Sequence, residues 1–225
     1  MREFDLFAGY PEPKEPRIAG PHLRTIKNRI AASYLGKEFY DGDRANGYGG
    51  MKDDGRWAPI AKQIMEHYHL HERSKVLQVR PHKGFLLGEM RKLGLNVTGC
   101  ENSEYAIENG VVPLDFAQPT KLPYADKEFD LVIAANVVYT LNLEGTIQCL
   151  KEIERVSRGK AWITLVAYED DKDIDGLMLM RYWTLLGTTI LTKPEWLAVM
   201  EHAGYSGDWC YHTSKFMNLV LDGKA

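Results

Sequence analysis

The chain of 225 residues has few cysteines, no long apolar run and no excess of basic charge, and each absence excludes a class of protein. Its three cysteines lie far apart and form no C-x-x-C pair, which predicts packed thiols in a reducing compartment. No run approaches the roughly 18–20 apolar residues of a membrane helix, and the polar start "MREFDLFAGYPEPKEPR" does not resemble a signal peptide. A net charge of -3 gives no indication of a nucleic-acid surface. We therefore expect a cytoplasmic, soluble protein with neither nucleic-acid nor membrane partners.

From residue 75 onward, apolar segments of strand length alternate with segments of helix length. The strand-like segments are "KVLQVR", "NVTGCE", "FDLVIAANVVY" and "KAWITLVAY", and "FMNLVL" is interpreted as a final edge strand. The helix-like segments are "FLLGEMRKLG", "SEYAIENG", "LEGTIQCLKEIERVSRG" and "KPEWLAVMEHAGY". This alternation predicts an α/β fold with a doubly wound, mainly parallel sheet. Ligands of such sheets bind beyond the carboxyl ends of the strands at the switch point, which lies after "VLQV" if this is the first strand.

The first 70 residues lack this alternation and are interpreted as an N-terminal arm and cap that pack on residues 71–225 as one compact domain. Four prolines within residues 9–21 predict an extended or loop-like arm, and apolar residues at helical spacing predict a helix within residues 22–35. Residues 37–57 contain five glycines and show little hydrophobic periodicity. Loops of that length are usually either functional or disordered, and the aromatic residues of this one argue against disorder.

The segment "VLQVRPHKGFLL", residues 76–87, runs from the predicted first strand through a loop into a helix. Its only glycine is Gly84. Nucleotide-binding loops at this place use several glycines, because these let the backbone turn tightly and let the ligand approach the main chain. The second strand ends in Glu101, an acid placed to accept hydrogen bonds from ribose hydroxyls. The alternative is that Glu101 is a solvated residue at a strand end.

Together these segments resemble the class I S-adenosylmethionine (SAM)-dependent methyltransferases. "SKVLQVRPHKGFLLGEMRKLGLNVTGCENSEYAIENG" is similar to the first two motifs of that family, and "TKLPYADKEFDLVIAANVVYTL" to its stretch from the adenine loop through the fourth strand. "LKEIERVSRGKAWITLVAY" resembles the next helix and strand, and "FYDGDRANGYGGMKDDGRWAPIAKQIMEHY" a lead-in of one bacterial group. The resemblance implies a Rossmann-like class I methyltransferase fold over residues 71–225, with SAM as the cofactor of an active enzyme.

The chain departs from the family's first motif, which is an acid, one residue and then G-x-G-x-G. By alignment Gln78 stands at the acid, and Arg80 and His82 replace the first two glycines. Pro81 also removes a backbone N–H that could donate a hydrogen bond. Where the family often has an acid that reads the adenine amine, the side chain of Gln118 can still accept through its carbonyl oxygen. The cofactor-binding positions implied by the resemblance are thus Gln78, Arg80, His82, Gly84, Glu101 and Gln118.

Three interpretations of this pocket follow. In the first, which we favour, Arg80 and His82 fill a pseudoenzyme pocket that only holds the fold together, so that no cofactor is bound. In the second, the chain is an active but atypical SAM-dependent methyltransferase. In the third, the pocket binds a different anionic ligand, attracted by Arg80, His82 and Lys83.

The resemblance also implies that the N-terminal segment caps the cofactor and shapes the acceptor pocket. Its glycines permit a close approach of the backbone, its aromatic rings supply flat apolar surface, and its acidic and basic side chains supply charge. The candidate substrate or cap-loop residues are Asp41, Arg44, Tyr48, Gly49, Gly50 and Trp57. The alternative is a surface Ω-loop with a satisfied Asp–Arg pair.

No catalytic residue is identified by the sequence, and Tyr139 and Asn136 are the candidates. Tyr139 follows the fourth strand, where relatives often carry a histidine base, but a tyrosine of pKa ~10 is a poor base at neutral pH. Both residues are candidates for the acceptor pocket or simply for the end of a strand. The histidines of "HYHLH" (67–71) are interpreted as surface residues, so no metal site is predicted.

Two functions are therefore carried forward. The first is a methyltransferase-like protein with a degraded SAM site that serves as a non-catalytic partner subunit of an active methyltransferase paralogue, or assembles with itself. The second is an active SAM-dependent methyltransferase acting on a small molecule such as a sugar or another metabolite. The apolar segment at residues 176–187 is interpreted as a core helix, and an exposed face there would mark a partner site.

Overall fold

The structure is a computed structural model and describes residues 2–8, 10–11 and 15–223. The strands in this part of the chain are β1 (Arg17–Ala19), β2 (Lys75–Val79), β3 (Asn96–Glu101), β4 (Asp115–Phe116), β5 (Leu131–Ala134), β6 (Ala161–Tyr168), β7 (Leu191–Thr192), β8 (Asp208–His212) and β9 (Leu219–Leu221). The α-helices are α1 (Ile26–Ser33), α2 (Lys37–Tyr40), α3 (Trp57–His67), α4 (Phe85–Lys92), α5 (Glu104–Glu108), α6 (Leu143–Val156), α7 (Ile174–Trp183) and α8 (Lys193–Ala203). Short 3₁₀ turns span Arg44–Asn46 and Val138–Thr140.

Seven strands form one parallel sheet in the order β4-β3-β2-β5-β6-β7, with β8 also paired to β6. The chain moves outward from β2 through β3 to β4 and then returns to β5 on the other side of β2. The switch point therefore lies between the carboxyl ends of β2 and β5, as the sequence predicts. This sheet with its flanking helices confirms the doubly wound, Rossmann-like fold.

Alternating side chains of the central strands enter two separate apolar layers. On β5, Val132 packs in a cluster with residues of α6 and α8, whereas the neighbouring Ile133 packs in a cluster with residues of α3 and α4. Each layer contains a fully buried tryptophan whose indole N–H is bonded to the backbone. Trp196 Nε1 donates to the carbonyl of Val166 at 2.8 Å, and Trp162 Nε1 donates to that of Phe4 at 2.9 Å. The second bond ties the N-terminal arm to the sheet.

Two sequence-based assignments of strands are corrected. The apolar run at residues 129–139 is a strand only over Leu131–Ala134, because the backbone turns at Asn136, whose φ is +59°, and then enters the 3₁₀ turn. The segment "FMNLVL" is not an edge of the main sheet, because β9 pairs in parallel with β1 in a separate two-stranded sheet. The strand next to β6 is instead β8, which the sequence analysis missed.

The N-terminal residues contact separate parts of the fold. Residues 9–21, predicted as an extended arm, include β1, although residues 9 and 12–14 lie outside the described part. The loop between α1 and α3 lies against the loop that follows β2, through contacts described below. The division at residue 70 stays a prediction. Among the described residues, no helix is long and apolar enough to cross a bilayer.

Candidate functional site

The backbone of the loop after β2 has a conformation that favours glycine at three positions, although two of these positions are not glycine. Arg80, His82 and Gly84 have φ values of +50°, +56° and +75°, so all three alternate positions are left-handed. A non-glycine residue in this conformation costs roughly 1–2 kcal/mol, because its Cβ crowds the backbone. The loop is thus left-handed at the three positions where the resemblance implies glycines, and two large side chains are held in a strained conformation there.

The side chain of Arg80 lies across the switch point of the sheet. Its Nη1 donates a hydrogen bond of 2.7 Å to the hydroxyl of Thr140, in the 3₁₀ turn after β5. Its Nε lies 3.9 Å from Oε1 of Glu101, at the end of β3. Only 5% of Arg80 is exposed. The guanidinium therefore bridges the two sides of the place where the resemblance puts the cofactor.

The carboxylate of Glu101 is fully buried and is occupied by the protein itself. Its Oε1 accepts from the backbone N–H groups of Asn102 at 2.9 Å and Ser103 at 3.2 Å, and its Oε2 accepts from that of His82 at 3.0 Å. Burial raises the pKa of Glu101, while Arg80 and these N–H groups oppose the rise. In this arrangement the residues do not fit a SAM ribose bound at Glu101, because Arg80 lies beside the carboxylate.

Polar atoms without a partner also collect at this loop. Within the described residues, Gln78 Oε1, Arg80 Nε and Asn102 Oδ1 are buried and make no hydrogen bond. Each such atom costs about 1–3 kcal/mol when it is left unsatisfied. The loop therefore carries the side chains of Arg80 and His82, which occupy the site, and lies beside polar atoms that could still form hydrogen bonds.

The ring of His82 is held between two tyrosines of the N-terminal segment. Its Nε2 lies 2.9 Å from the hydroxyl of Tyr48, and its Nδ1 lies 3.4 Å from that of Tyr40. Burial and the charge of Arg80 lower the pKa of His82 to about 3, so the ring is neutral at neutral pH. Burial raises the pKa of Tyr48 to about 12, so this contact is a bond between two neutral groups.

A buried ion pair fastens the N-terminal segment onto the loop. Lys83 Nζ lies 2.7 and 2.5 Å from the two carboxylate oxygens of Asp41, and the hydroxyl of Tyr105 donates to Asp41 at 2.7 Å. We call Lys83, Asp41 and Tyr105 the cap latch. Burial would raise the pKa of Asp41, but the hydrogen bonds from Lys83, Tyr105 and the N–H of Met51 hold it below its ordinary value.

Tyr139 and Asn136, the candidates for the acceptor pocket, are in direct contact. The hydroxyl of Tyr139 donates to Oδ1 of Asn136 at 3.3 Å, and the backbone N–H of Asn136 donates to the hydroxyl of Thr164 at 2.6 Å. Burial raises the pKa of Tyr139, which makes it a still weaker base at neutral pH. Its carbonyl accepts from the N–H groups of Thr188 and Thr189, which fixes the turn.

Solved structures share this arrangement of sheet and helices. The chain aligns to a Bacillus halodurans protein inferred to be a methyltransferase, with 16% identity, a TM-score of 0.54, and 64% of this chain and 68% of that one covered. For YcgJ of Bacillus subtilis the identity is 14%, the TM-score 0.53 and the coverage 64% and 66%. For the [4+2]-cyclase SpnF the identity is 15% and the TM-score 0.53, and the alignment covers 83% of this chain and 74% of that one. In other alignments of this kind the chain spans between 41% and 56% of its counterpart.

The sequence was also compared with known protein families. Residues 77–165 match the family described as "Methyltransferase domain". This segment of the chain is therefore similar to methyltransferase domains. A comparison with curated protein sequences finds no match.

The fold brings together most of the residues predicted for the site. Gln78, Arg80, His82, Gly84 and Glu101 lie at the carboxyl ends of β2 and β3, where Gly84 begins α4. Gln118 has an exposed side chain after β4 and makes only a backbone bridge to Lys121, so its role in reading adenine stays a prediction. These placements leave the roles of all six residues as predictions.

The predicted cap-loop residues separate into two groups. Asp41 and Tyr48 contact the site, and Gly49 and Gly50 have φ values of +70° and +98° in the same turn. Trp57 instead begins α3 and packs on Phe7 and Tyr10 on the other side of the segment, with ring centroids 5.9 and 5.3 Å away. Arg44 extends toward α7, in a cluster described below.

Three residues of the site were missed by the sequence analysis: Tyr40, Tyr105 and Thr140. Tyr40 was counted only as an aromatic residue of the loop, and Tyr105 only as part of a helix. Both contact the site through partners more than 40 positions away, as the 42 residues between Tyr40 and His82 illustrate. Thr140 carries no signal in the sequence, because its contact with Arg80 depends on the turn after β5.

The protein is expected to lose stability as the pH falls, partly through His82. Because the folded pKa of about 3 lies below the unfolded value of ~6.5, the unfolded chain binds more protons between these values, and stability decreases as pH falls through that window. His82→Gln is expected to reduce the loss between pH 7 and 4.5 by about 1–2 kcal/mol, allowing for the partial exposure of the ring. Urea unfolding at several pH values measures this.

Other groups contribute to the same pH dependence, but they are present in both the wild type and the His82→Gln variant. Burial lowers the pKa of His212 to about 4, which acts in the same direction as His82, and the raised pKa of Glu101 acts in the opposite direction. The exposed His202 of α8 provides the control substitution, and His202→Gln is measured in parallel. Equal pH profiles for wild type and His82→Gln would show that the ring does not titrate in this way.

Proposed function

We propose that this chain is a methyltransferase-like protein that does not transfer methyl groups alone and that serves as a non-catalytic partner subunit of an active methyltransferase paralogue. The observation that carries the proposal is the position of Arg80, bonded to Thr140 and beside Glu101 across the switch point. A cofactor bound in the family's manner requires that side chain to leave and its buried charge to find a new partner, which is costly. The fold does not assign methyl transfer by itself, since SpnF, which shares it, is named a [4+2]-cyclase.

A row of exposed apolar side chains on α1 supports the partner role. Ile26, Ile30 and Tyr34 follow each other at intervals of four residues, and 69%, 50% and 79% of their surfaces are exposed. Side chains spaced in this way lie on one face of a helix. Contiguous exposed apolar surface on a soluble protein is typical of an interface. The three cysteines are buried and unpaired, which supports the proposed cytoplasmic location.

The second candidate function is an active SAM-dependent methyltransferase with a small-molecule acceptor. Two observations favour it: the left-handed backbone at residues 80, 82 and 84 retains the family turn, and Gln78 Oε1 and Asn102 Oδ1 lack partners beside it. A ligand that displaced Arg80 would satisfy these atoms. Catalysis would then depend on positioning the acceptor against the methyl group rather than on a base.

Calorimetry separates the two functions. Titration of the purified chain with SAM and with S-adenosylhomocysteine is expected to show no saturable binding up to about 1 mM. Binding in the micromolar range to the isolated chain would contradict the non-catalytic function and favour the enzyme. The positive control is a paralogue with the same "DGDR…GYGG…DGRW" lead-in and an intact G-x-G-x-G.

The partner role has its own test. Co-expression with such a paralogue is expected to give a complex on size-exclusion chromatography, and Ile30→Asp is expected to weaken it by placing a charge in the apolar row. A matched change at Leu197, an apolar residue of α8 with 43% of its surface exposed, serves as the control. A complex unaffected by Ile30→Asp would contradict the assignment of α1 as the interface, and the absence of any complex would contradict the partner role.

A further inference from the structure

Three arginines surround the ring of Trp183 at the end of α7. The guanidinium carbons of Arg17, Arg24 and Arg44 lie 5.4, 4.6 and 5.9 Å from the ring centroid. The three residues come from β1, from the turn before α1 and from the loop after α2, so the fold brings them together from separate places. A contact of this kind is favourable for one cation, but three cations around one ring repel each other.

No carboxylate compensates this charge in the part of the chain that the structure describes. None of the three arginines forms an ion pair there, whereas Arg56, Arg155 and Arg158 elsewhere on the surface each pair with an aspartate or glutamate. The absence is unusual because Arg17 and Arg24 are partly buried, where an unpaired charge is costly. The cluster therefore holds positive charge that its own protein leaves unneutralised.

The hydrogen bonds of the cluster leave donors available. Arg24 donates to the carbonyl of Trp183, and Arg44 bends back to the carbonyl of Gly47. Arg17 donates no side-chain hydrogen bond to the described residues. Burial and the neighbouring arginines lower the pKa of Arg24 to about 10, and burial and Arg44 lower that of Arg17. Each guanidinium carries five N–H donors, so most of them are free.

The cluster lies on the acceptor side of the candidate site. Trp183 and Tyr139 pack against the same apolar group, which includes Val166 of β6 and Met180 of α7. Arg44 belongs to the loop that carries Tyr48, four residues later, which contacts His82. The arginines thus lie between the N-terminal segment that carries them and the end of α7.

We propose that Arg17, Arg24 and Arg44 around Trp183 form a binding site for the phosphate group of a small molecule. A phosphate ester carries close to two negative charges, which matches several unpaired guanidinium groups better than one carboxylate does. The short span of the cluster and the net charge of -3 favour a small ligand over a nucleic acid. This inference goes beyond the proposed function and holds whether or not the chain binds SAM.

The test uses the full chain with inorganic phosphate and with glucose 6-phosphate, against glucose as the neutral control. Saturable binding of both phosphates and no binding of glucose are expected by calorimetry at low ionic strength. The double variant Arg17→Gln/Arg44→Gln is expected to bind at least about tenfold more weakly, because charge-assisted hydrogen bonds are lost. The control Arg91→Gln changes an exposed arginine of α4 that makes only one weak bond, to the carbonyl of Val111, and is expected to bind as wild type does.

Thermal unfolding without ligand provides a second test. In phosphate-free buffer of low salt, Arg17→Gln/Arg44→Gln is expected to raise the Tm, because repulsion within the cluster is relieved, while Arg91→Gln leaves it unchanged. Phosphate is expected to raise the Tm of the wild type but not of the double variant. The proposal is overturned if phosphate does not saturate wild type up to about 10 mM, if the double variant binds phosphate as tightly, or if a duplex oligonucleotide binds in preference to both phosphates.

Discussion

Replacing Arg80 and His82 together by glycine is expected to give a chain that binds SAM, with an affinity at least about 100-fold higher than that of the wild type, or about 2.8 kcal/mol. The change removes the guanidinium that bridges Thr140 and Glu101 and the ring that lies under Tyr48. It also puts glycine at φ values of +50° and +56°, where glycine is not strained. The left-handed backbone at both positions is already present, so only the side chains change.

The matched control is Arg80→Ala/His82→Ala. This variant removes the same bulky groups but keeps two Cβ atoms in left-handed positions beside the cofactor. It is expected to bind SAM more weakly than the glycine variant, since both the strain and the crowding of the main chain remain. Calorimetry with SAM, together with a urea curve for each variant, separates lost binding from lost folding.

If the glycine variant folds and still binds no SAM, the obstruction lies elsewhere. Gln78, in place of the family's acid, and Pro81, which lacks a backbone N–H, are then the departures that matter. Gln78→Asp added to the glycine variant tests the first of them. Equal binding by the alanine and glycine variants would show that bulk, rather than the backbone conformation, closes the wild-type pocket.

The sheet is predictable from the sequence because its strands are defined by local patterns. The segment "NVTGCE" was predicted as a strand and is β3, Asn96–Glu101, without a change at either end. Ser103 begins the segment predicted as the following helix and is a residue type preferred at a helix N-cap, and its hydroxyl accepts from the N–H of Ala106. Both signals lie within a few residues of the feature that they predict, so no knowledge of the rest of the chain is needed.

The contacts that close the site are not predictable in this way. Asp41 pairs with Lys83, which is 42 positions away, and β1 pairs with β9, about 200 positions away. Neither pairing leaves a trace in hydrophobic periodicity, because it joins a polar loop or a short edge segment to a distant one. The sequence indicated that Arg80 and His82 are unusual, but only the structure shows that they retain the left-handed turn.

The cap latch connects these long-range contacts to stability, and Lys83→Met is expected to destabilise the chain by about 2–4 kcal/mol. Only 10% of the Lys83 side chain and 24% of that of Asp41 are exposed, so removing the cation leaves a largely buried carboxylate with Tyr105 and one backbone N–H as donors. The N-terminal segment is then expected to detach more readily. Urea unfolding measures the loss, and limited proteolysis within residues 37–57 reports the detachment.

Lys62→Met is the control, because it removes a lysine from an ion pair in which both side chains are exposed. Lys62 Nζ lies 3.9 Å from Glu66, and 72% of the Lys62 side chain and 68% of that of Glu66 are exposed. An exposed pair contributes about 0–1 kcal/mol, so the difference between the two variants reports the effect of burial.

The double variant Lys83→Met/Asp41→Leu completes the argument. If Lys83→Met is destabilising because it leaves the Asp41 carboxylate without a cation, removing that carboxylate is expected to restore part of the stability. The effects of the two changes are then less than additive. Additive losses would show instead that each residue acts through separate contacts. Equal losses for Lys83→Met and Lys62→Met would show that the latch does not hold the N-terminal segment, and that the aromatic contacts around His82 do so.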